Sequence, residues 1–192
     1  MSGAVLQLDA NSGWLQAVQH RRSPNADERP PGVAIDMVII HGISLPPGQF
    51  GGTAIHELFC NSLDLSADKY YQNLKGLRVS AHLLISREGG LTQFVPFTHR
   101  AWHAGVSSYL GCCNCNDFSI GIELEGTDSL AYTRSQYRVL ADVIKVLQSA
   151  YPGITAKRIV GHSDVAPGRK TDPGEAFDWQ YLEKLLAMTA NR

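Results

Sequence analysis

The sequence predicts a single α/β or α+β domain in which helices cover a β-sheet. Residues 33–41 are almost continuously aliphatic, which is typical of a buried central strand. Residues 77–97 form a hairpin pattern around a turn at residues 88–90. Residues 133–151 carry apolar side chains at helical spacing. The 192 residues, 44% of them hydrophobic, suit one compact domain without repeats or linkers.

The other elements follow in chain order. Residues 1–32 are polar and irregular, so we expect an N-terminal arm before the main domain at residues 33–192. Apolar spacing predicts a short helix within residues 53–63. Residues 159–160 predict a further strand, and residues 177–188 predict a last helix.

Two elements carry more specific signals. Thr133 and Gln136 form a capping-box pattern, which predicts the start of the long helix. Residues 117–125 alternate between apolar and other side chains, so Glu123 and Glu125 share the face opposite the apolar one. That face is either exposed to solvent or the floor of a polar cleft, and the local pattern leaves both interpretations open.

Charge and composition restrict the function classes. The formal net charge of −1 gives no long-range basic field for nucleic acid or an anionic membrane. We find no apolar run of the roughly 20 residues that span a bilayer and no secretory signal pattern at the N-terminus. We therefore expect a cytoplasmic protein without a nucleic-acid or membrane partner. Cys112, Cys113 and Cys115 are too close in sequence for mutual disulfides, and we expect reduced thiols on a loop.

A loop rich in proline and glycine, residues 161–174, concentrates the reactive groups. It carries His162, Lys170 and Asp172, and such loops on a rigid scaffold commonly hold binding and catalytic groups. His41, at the end of the predicted central strand, can add a third ligand to a catalytic zinc site. Glu123 is a candidate general base, and Lys170 is a candidate oxyanion stabiliser. A core-edge histidine that bonds a backbone carbonyl is the competing interpretation of His41.

Several segments together resemble the zinc-dependent type-2 N-acetylmuramoyl-L-alanine amidases, and among them the AmpD amidases of bacterial cell-wall recycling. The resemblance extends from about Gly13 to Trp179, and its most specific segments are residues 43–51, 79–82, 100–107, 116–128 and 169–174. It implies a central mixed β-sheet flanked by helices, with zinc in a surface groove. It also implies cleavage of the amide between the lactyl group of 1,6-anhydro-N-acetylmuramic acid and L-alanine.

The resemblance also implies roles for individual residues. The zinc ligands would be His41, His162 and Asp172, and the catalytic residues would be Glu123 and Lys170. The substrate would be a small muropeptide. Separately, we expect the protein to be a monomer. Trp102 and His103 would line the muramyl pocket, Arg78 would meet a stem-peptide carboxylate, and Tyr70 would lie near the site.

The chain departs from the family pattern at two places. Gly42 follows the first ligand where asparagine is common, and the cysteine-rich loop at residues 110–115 replaces a stretch that contains arginine. An alternative function is a non-catalytic module that binds peptidoglycan fragments. The complete ligand set disfavours that alternative, because binding-only relatives tend to lose a ligand. An amidase that acts on intact cell wall is a third interpretation and would require export or a lysis partner.

Overall fold

The computed structural model describes residues 6–188. Within them, strands β1 to β12 span Leu8–Asp9, Trp14–Leu15, Gln19–His20, Ala26–Glu28, Met37–Ile43, Leu83–Ile85, Leu91–Gln93, His99–Ala101, Ser108–Tyr109, Cys112–Cys113, Ser119–Glu125 and Ile159–Gly161. Helices α1 to α4 span Ala54–Phe59, Arg134–Ala150, His162–Val165 and Trp179–Ala187. Short 3₁₀ turns cover Lys69–Leu74, Cys115–Asp117 and Ala156–Arg158.

A mixed six-stranded sheet in the order β12-β5-β11-β6-β7-β3 forms the centre of the molecule. The four strands β12, β5, β11 and β6 run parallel, and β7 returns antiparallel to β6. The predicted sheet with covering helices is confirmed in this arrangement. Because parallel strands end at one edge of a sheet, the residues at their carboxyl ends lie close together.

The two faces of the sheet are covered by different elements. Ile120, Ile122 and Leu124 of β11 pack in the main core with the buried side of α2 and with Leu182 of α4. Helix α1 and the 3₁₀ turn Lys69–Leu74 contribute to a second apolar cluster. Successive side chains of a strand point to opposite faces of the sheet. His41 of β5 and Glu123 of β11, which have odd numbers, therefore lie on the face opposite the main core.

The central strand begins later than the sequence predicts. We expected it over residues 33–41, but β5 runs from Met37 to Ile43, and Val33 is 38% exposed. Its ladder with β11 begins where Met37 lies opposite Ser119 and ends where Ile43 lies opposite Glu125. In the predicted hairpin, strand pairing is likewise confined to Leu83–Ile85 and Leu91–Gln93.

The predicted long helix is confirmed as α2. The Thr133 hydroxyl accepts a hydrogen bond from the Gln136 amide, and the Gln136 side chain accepts one from the Thr133 amide, which completes the capping box. The last helix, α4, is also present, although it is shorter than predicted. Among the helices in residues 6–188, none has the length and apolar character needed to cross a membrane.

The N-terminal segment wraps the edge of the sheet. Its strand β3 pairs with β7, its strand β4 pairs with β8, and Leu15 is fully buried. The Arg29 guanidinium is half-buried, and its loss of contact with water lowers its pKa to about 10. It donates hydrogen bonds to the backbone carbonyls of Phe97, Asn116, Asp117 and Ser119. These bonds hold the segment against the chain that leads into β11.

Candidate metal centre

The candidate ligands and Glu123 lie together at the carboxyl ends of three parallel strands. His41 lies near the end of β5, directly opposite Glu123 on β11. His162 follows β12, which pairs with the other side of β5. The chain then turns through residues 166–171 and returns Asp172 to His162, whose neighbour Ser163 donates its backbone amide to the Asp172 carbonyl at 3.0 Å.

Three donor atoms form a compact triangle. The two Nδ1 atoms of His41 and His162 lie 3.0 Å apart, and Asp172 Oδ2 lies 3.2 Å and 3.0 Å from them, respectively. In tetrahedral zinc sites with ligands at 2.0–2.1 Å, neighbouring ligand atoms lie about 3.3 Å apart. The donor set and the spacing therefore fit a zinc ion with only small adjustments.

The protonation of the ligands also suits a cation. Burial lowers the pKa of His41 to about 4, and the hydrogen bond to Asp172 only partly opposes this effect. Burial would raise the pKa of Asp172, but hydrogen bonds to His162 and His41 outweigh it and leave that pKa well below its ordinary value. The His162 Nε2 atom lies 3.2 Å from the Ala104 carbonyl, to which an Nε2–H group can donate, so Nδ1 is left free for a metal.

The two carboxylates of β11 have different surroundings. Glu125 is satisfied by backbone amides, because its Oε1 accepts from Gly51 and its Oε2 accepts from Arg87 at 3.1 Å. Glu123 Oε2 is buried, and no group among residues 6–188 donates a hydrogen bond to it. Burial and the charge of Asp172 raise the pKa of Glu123 well above its ordinary value, with Lys170 opposing the shift. Glu123 therefore lies across the β5–β11 ladder from His41 with one buried carboxyl oxygen that no described group satisfies.

A groove of about 480 Å³ opens over the triangle and Glu123. Lys170 and Arg169 line it from the loop that precedes Asp172. Arg169 donates to the carbonyls of Ala104 at 2.6 Å and Val106 at 2.7 Å, which fastens this loop to the opposite wall. The groove has room for a ligand of moderate size in contact with the donor triangle.

A model of the N-acetylmuramoyl-L-alanine amidase family matches residues 31–175 of this sequence. The chain belongs to this family. The amidase is 53% identical over 175 residues to the 1,6-anhydro-N-acetylmuramyl-L-alanine amidase AmpD of Escherichia coli (strain K12). The aligned region covers 91% of this chain and 95% of that protein.

Solved structures agree with this assignment. The crystal structure of a selenomethionine derivative of AmpD has 52% sequence identity and a TM-score of 0.90, and the match covers 93% of the amidase and 98% of that chain. The amidase AmiD from E. coli, solved with the substrate anhydro-N-acetylmuramic acid-L-Ala-D-γ-Glu-L-Lys, has 25% identity and a TM-score of 0.57. That match covers 94% of the amidase and 65% of the AmiD chain.

The groove of the amidase brings together every site residue that the sequence predicts. Its lining includes the donor triangle and also Tyr70, Arg78, Trp102, His103, Glu123 and Lys170. Tyr70 and Arg78 are exposed, Trp102 is half-buried, and His103 is only 8% exposed. Sequence reasoning missed Asn116, whose Oδ1 accepts from the amides of His103 and Ala104 at 3.2 Å and 2.8 Å. No spacing signal marks Asn116, because its partners lie across a loop.

The cysteine-rich loop directly precedes Asn116, which lines the groove. All four cysteines of the amidase are free, with Cys112 and Cys113 exposed on strand β10 and Cys115 buried. Among residues 6–188, the donor triangle is the cluster whose spacing can hold a metal, and the thiols do not belong to it.

The structure gives a physical reason for Gly42. A Cβ atom at this position would overlap the Tyr132 hydroxyl oxygen, whereas the ring carbon that carries the hydroxyl would remain 3.6 Å away. That hydroxyl donates a hydrogen bond to the Pro173 carbonyl at 3.0 Å, next to the candidate ligand Asp172. Tyr132 therefore occupies the space in which a side chain after His41 would lie, and it braces the Asp172 loop.

We expect Gly42→Ala to lower the free energy of unfolding by about 1–3 kcal/mol, because overpacking displaces the buried Tyr132 hydroxyl. Tyr132→Phe removes the obstructing oxygen but also removes one hydrogen bond, which should lower the free energy of unfolding by about 1 kcal/mol. The double variant should therefore be more stable than the sum of the two single effects predicts. Urea denaturation of the four proteins measures this coupling, and strictly additive energies would contradict the steric account.

Proposed function

We propose that this amidase uses zinc to hydrolyse the amide between the lactyl group of 1,6-anhydro-N-acetylmuramic acid and L-alanine of the stem peptide, in cytoplasmic peptidoglycan recycling. The observation that carries the proposal is the donor triangle of His41, His162 and Asp172 beside the unpartnered Glu123 carboxylate oxygen. A binding module needs the groove, but it has no need for a buried base adjoining a set of metal ligands.

The chain's own residues would divide the reaction between them. Zinc held by the triangle supplies a Lewis acid that polarises the amide carbonyl and makes water more acidic. Glu123 accepts the proton of the attacking water and delivers it to the leaving nitrogen of L-alanine. The Lys170 ammonium group, at the exposed edge of the groove, stabilises the negative charge that develops on the carbonyl oxygen.

The groove walls would orient the muropeptide. Trp102 and His103 would contact the sugar, Arg78 would bind a carboxylate of the stem peptide, and Tyr70 would border the reacting amide. AmiD bound to an anhydro-muramyl tripeptide supports this class of substrate. We also propose that residues 33–192 form the catalytic domain and residues 1–32 its arm, since the family match begins at residue 31. The protein would act as a monomer.

Metal removal tests the proposal directly. The purified protein should contain about one zinc per chain, because the triangle supplies the three protein ligands typical of a catalytic site. It should release tripeptide from anhydro-muramyl-tripeptide, lose this activity after chelation and regain it when zinc is restored. Metal analysis and chromatographic assay of the released peptide measure both quantities. A parallel assay with a muramyl peptide that has a reducing sugar tests whether the anhydro ring is required.

The contrary outcomes distinguish the alternatives. Zinc binding together with tight muropeptide binding, but without cleavage, would replace the hydrolase by a binding module. Full activity in metal-free protein would remove zinc from the mechanism. Equal cleavage of both sugars would keep the amidase activity but remove the anhydro specificity.

A further inference from the structure

A third imidazole, that of His103, lies on the side of the candidate ligand His41 that faces away from the donor triangle. The His103 side chain is held beneath β11, with Nδ1 only 2.9 Å from His41 Nε2. Its other nitrogen, Nε2, lies 3.3 Å from the hydroxyl of Ser119. His41, His103 and Ser119 therefore form a buried chain of hydrogen-bonding groups that leads away from the donor triangle.

The direction of these hydrogen bonds follows from the orientation of His41. Its Nδ1 atom faces His162 and Asp172, so this is the nitrogen available to a metal. A metal-binding nitrogen carries no proton, which places the proton of neutral His41 on Nε2. That N–H group points at His103 Nδ1, which must therefore accept the hydrogen bond. The N–H group of neutral His103 is then at Nε2 and donates a hydrogen bond to the Ser119 hydroxyl oxygen.

The surroundings hold His103 in this orientation. A Cβ atom at Gly121 would overlap three atoms of the His103 ring, so the ring packs directly against the backbone of β11. The Asn116 side chain accepts hydrogen bonds from the amides of His103 and Ala104, which fixes the backbone on both sides of the peptide. The His103 ring thus has little freedom to leave His41.

We propose that His103 is a positioning residue that accepts the His41 Nε2–H bond and so keeps His41 in the tautomer and orientation that bind zinc. This inference rests on the proposed zinc-dependent function. It is distinct from the sugar contact that the family resemblance implies for His103. A sugar contact alone would change KM and leave zinc affinity untouched, whereas the positioning role predicts a change in zinc affinity without substrate present.

The test measures the zinc dissociation constant of the full-length protein by competition with a chromophoric chelator. His103→Leu removes the acceptor and should weaken zinc binding by about 10- to 100-fold, the range observed when partners of metal-ligating histidines are removed. In His103→Asn, the side-chain oxygen lies close to the position of the imidazole Nδ1 and can accept the same bond. This variant should recover most of the affinity. His56→Leu, which removes a half-buried histidine on α1 outside the groove, is the matched control and should bind zinc like the wild type.

Each outcome decides the matter. Unchanged zinc affinity in folded His103→Leu would overturn the inference and leave the proposed function intact. Equal losses in His103→Leu and His103→Asn would show a merely structural role. If the wild type itself binds no zinc, the proposed function and this inference fail together. If His103→Leu does not fold, Ser119→Ala decides, because removing the acceptor of His103 should weaken zinc binding measurably in a nearly unchanged core.

Discussion

Glu123→Gln is expected to reduce amide hydrolysis by about 10²- to 10⁴-fold, the range typical of lost general acid–base catalysis. Glutamine has the same shape as glutamate but cannot accept a proton from water at neutral pH. Because Glu123 does not belong to the donor triangle, the variant should still bind about one zinc per chain, as a catalytic site does. Initial rates on anhydro-muramyl-tripeptide and metal analysis of the same sample measure the two effects together.

Glu88→Gln is the matched control for this experiment. Glu88 is an exposed carboxylate at the turn between β6 and β7, so the same chemical change there should leave both rate and zinc content unaltered. Near-normal turnover in zinc-loaded Glu123→Gln would show that another group accepts the proton. Loss of zinc together with activity would instead make Glu123 a determinant of the metal site.

Asp172→Ala is expected to abolish both zinc retention and activity. The substitution removes one of the three donors and the carboxylate that lies within 3.2 Å of both histidines. The loss of zinc affinity should exceed the about 10- to 100-fold loss typical of a partner that only supports a ligand. Chelator competition and the muropeptide assay, performed on protein whose folding is verified by circular dichroism, measure the outcome.

The exposed Asp128, on the loop after β11, provides the control Asp128→Ala, which should keep its zinc. If Asp172→Ala retains zinc at wild-type affinity, the ion is held elsewhere and the triangle is not the metal site. If it loses zinc but still cleaves the substrate, the metal is structural and the proposed chemistry is wrong.

The sequence predicted the sheet and helices well where the pattern was long or carried a specific signal. The capping box at Thr133 predicted the start of α2, and alternation along residues 117–125 correctly separated Glu123 from the apolar core. Strand ends were less accurate, because pairing depends on the partner strand. Val33 is aliphatic like Ile39, but the ladder with β11 begins only at Met37.

The candidate site was predictable in its residue types but not in its arrangement. The local motif around residues 161–174 and the resemblance to amidases indicated the five residues proposed for metal binding and catalysis. The support around them depends on contacts between distant segments. His103 packs against Gly121, and Tyr132 fills the space beside Gly42, yet no local periodicity predicts either contact. Such pairs appear only when the fold brings their backbones together.

The wide separation of the ligands along the chain has a consequence for biosynthesis. His41 and Asp172 are 131 positions apart, and β12, which leads to His162, pairs with a strand made much earlier. A ribosome-bound chain that still lacks β12 and the residues after it cannot assemble the triangle. A nascent or truncated protein therefore has no preformed metal site. If the triangle of the folded protein binds zinc as proposed, free zinc at a hundred times its dissociation constant would add at most about 2.7 kcal/mol to the free energy of unfolding, because the ion favours the folded state. Resistance to proteolysis should accordingly rise with zinc concentration.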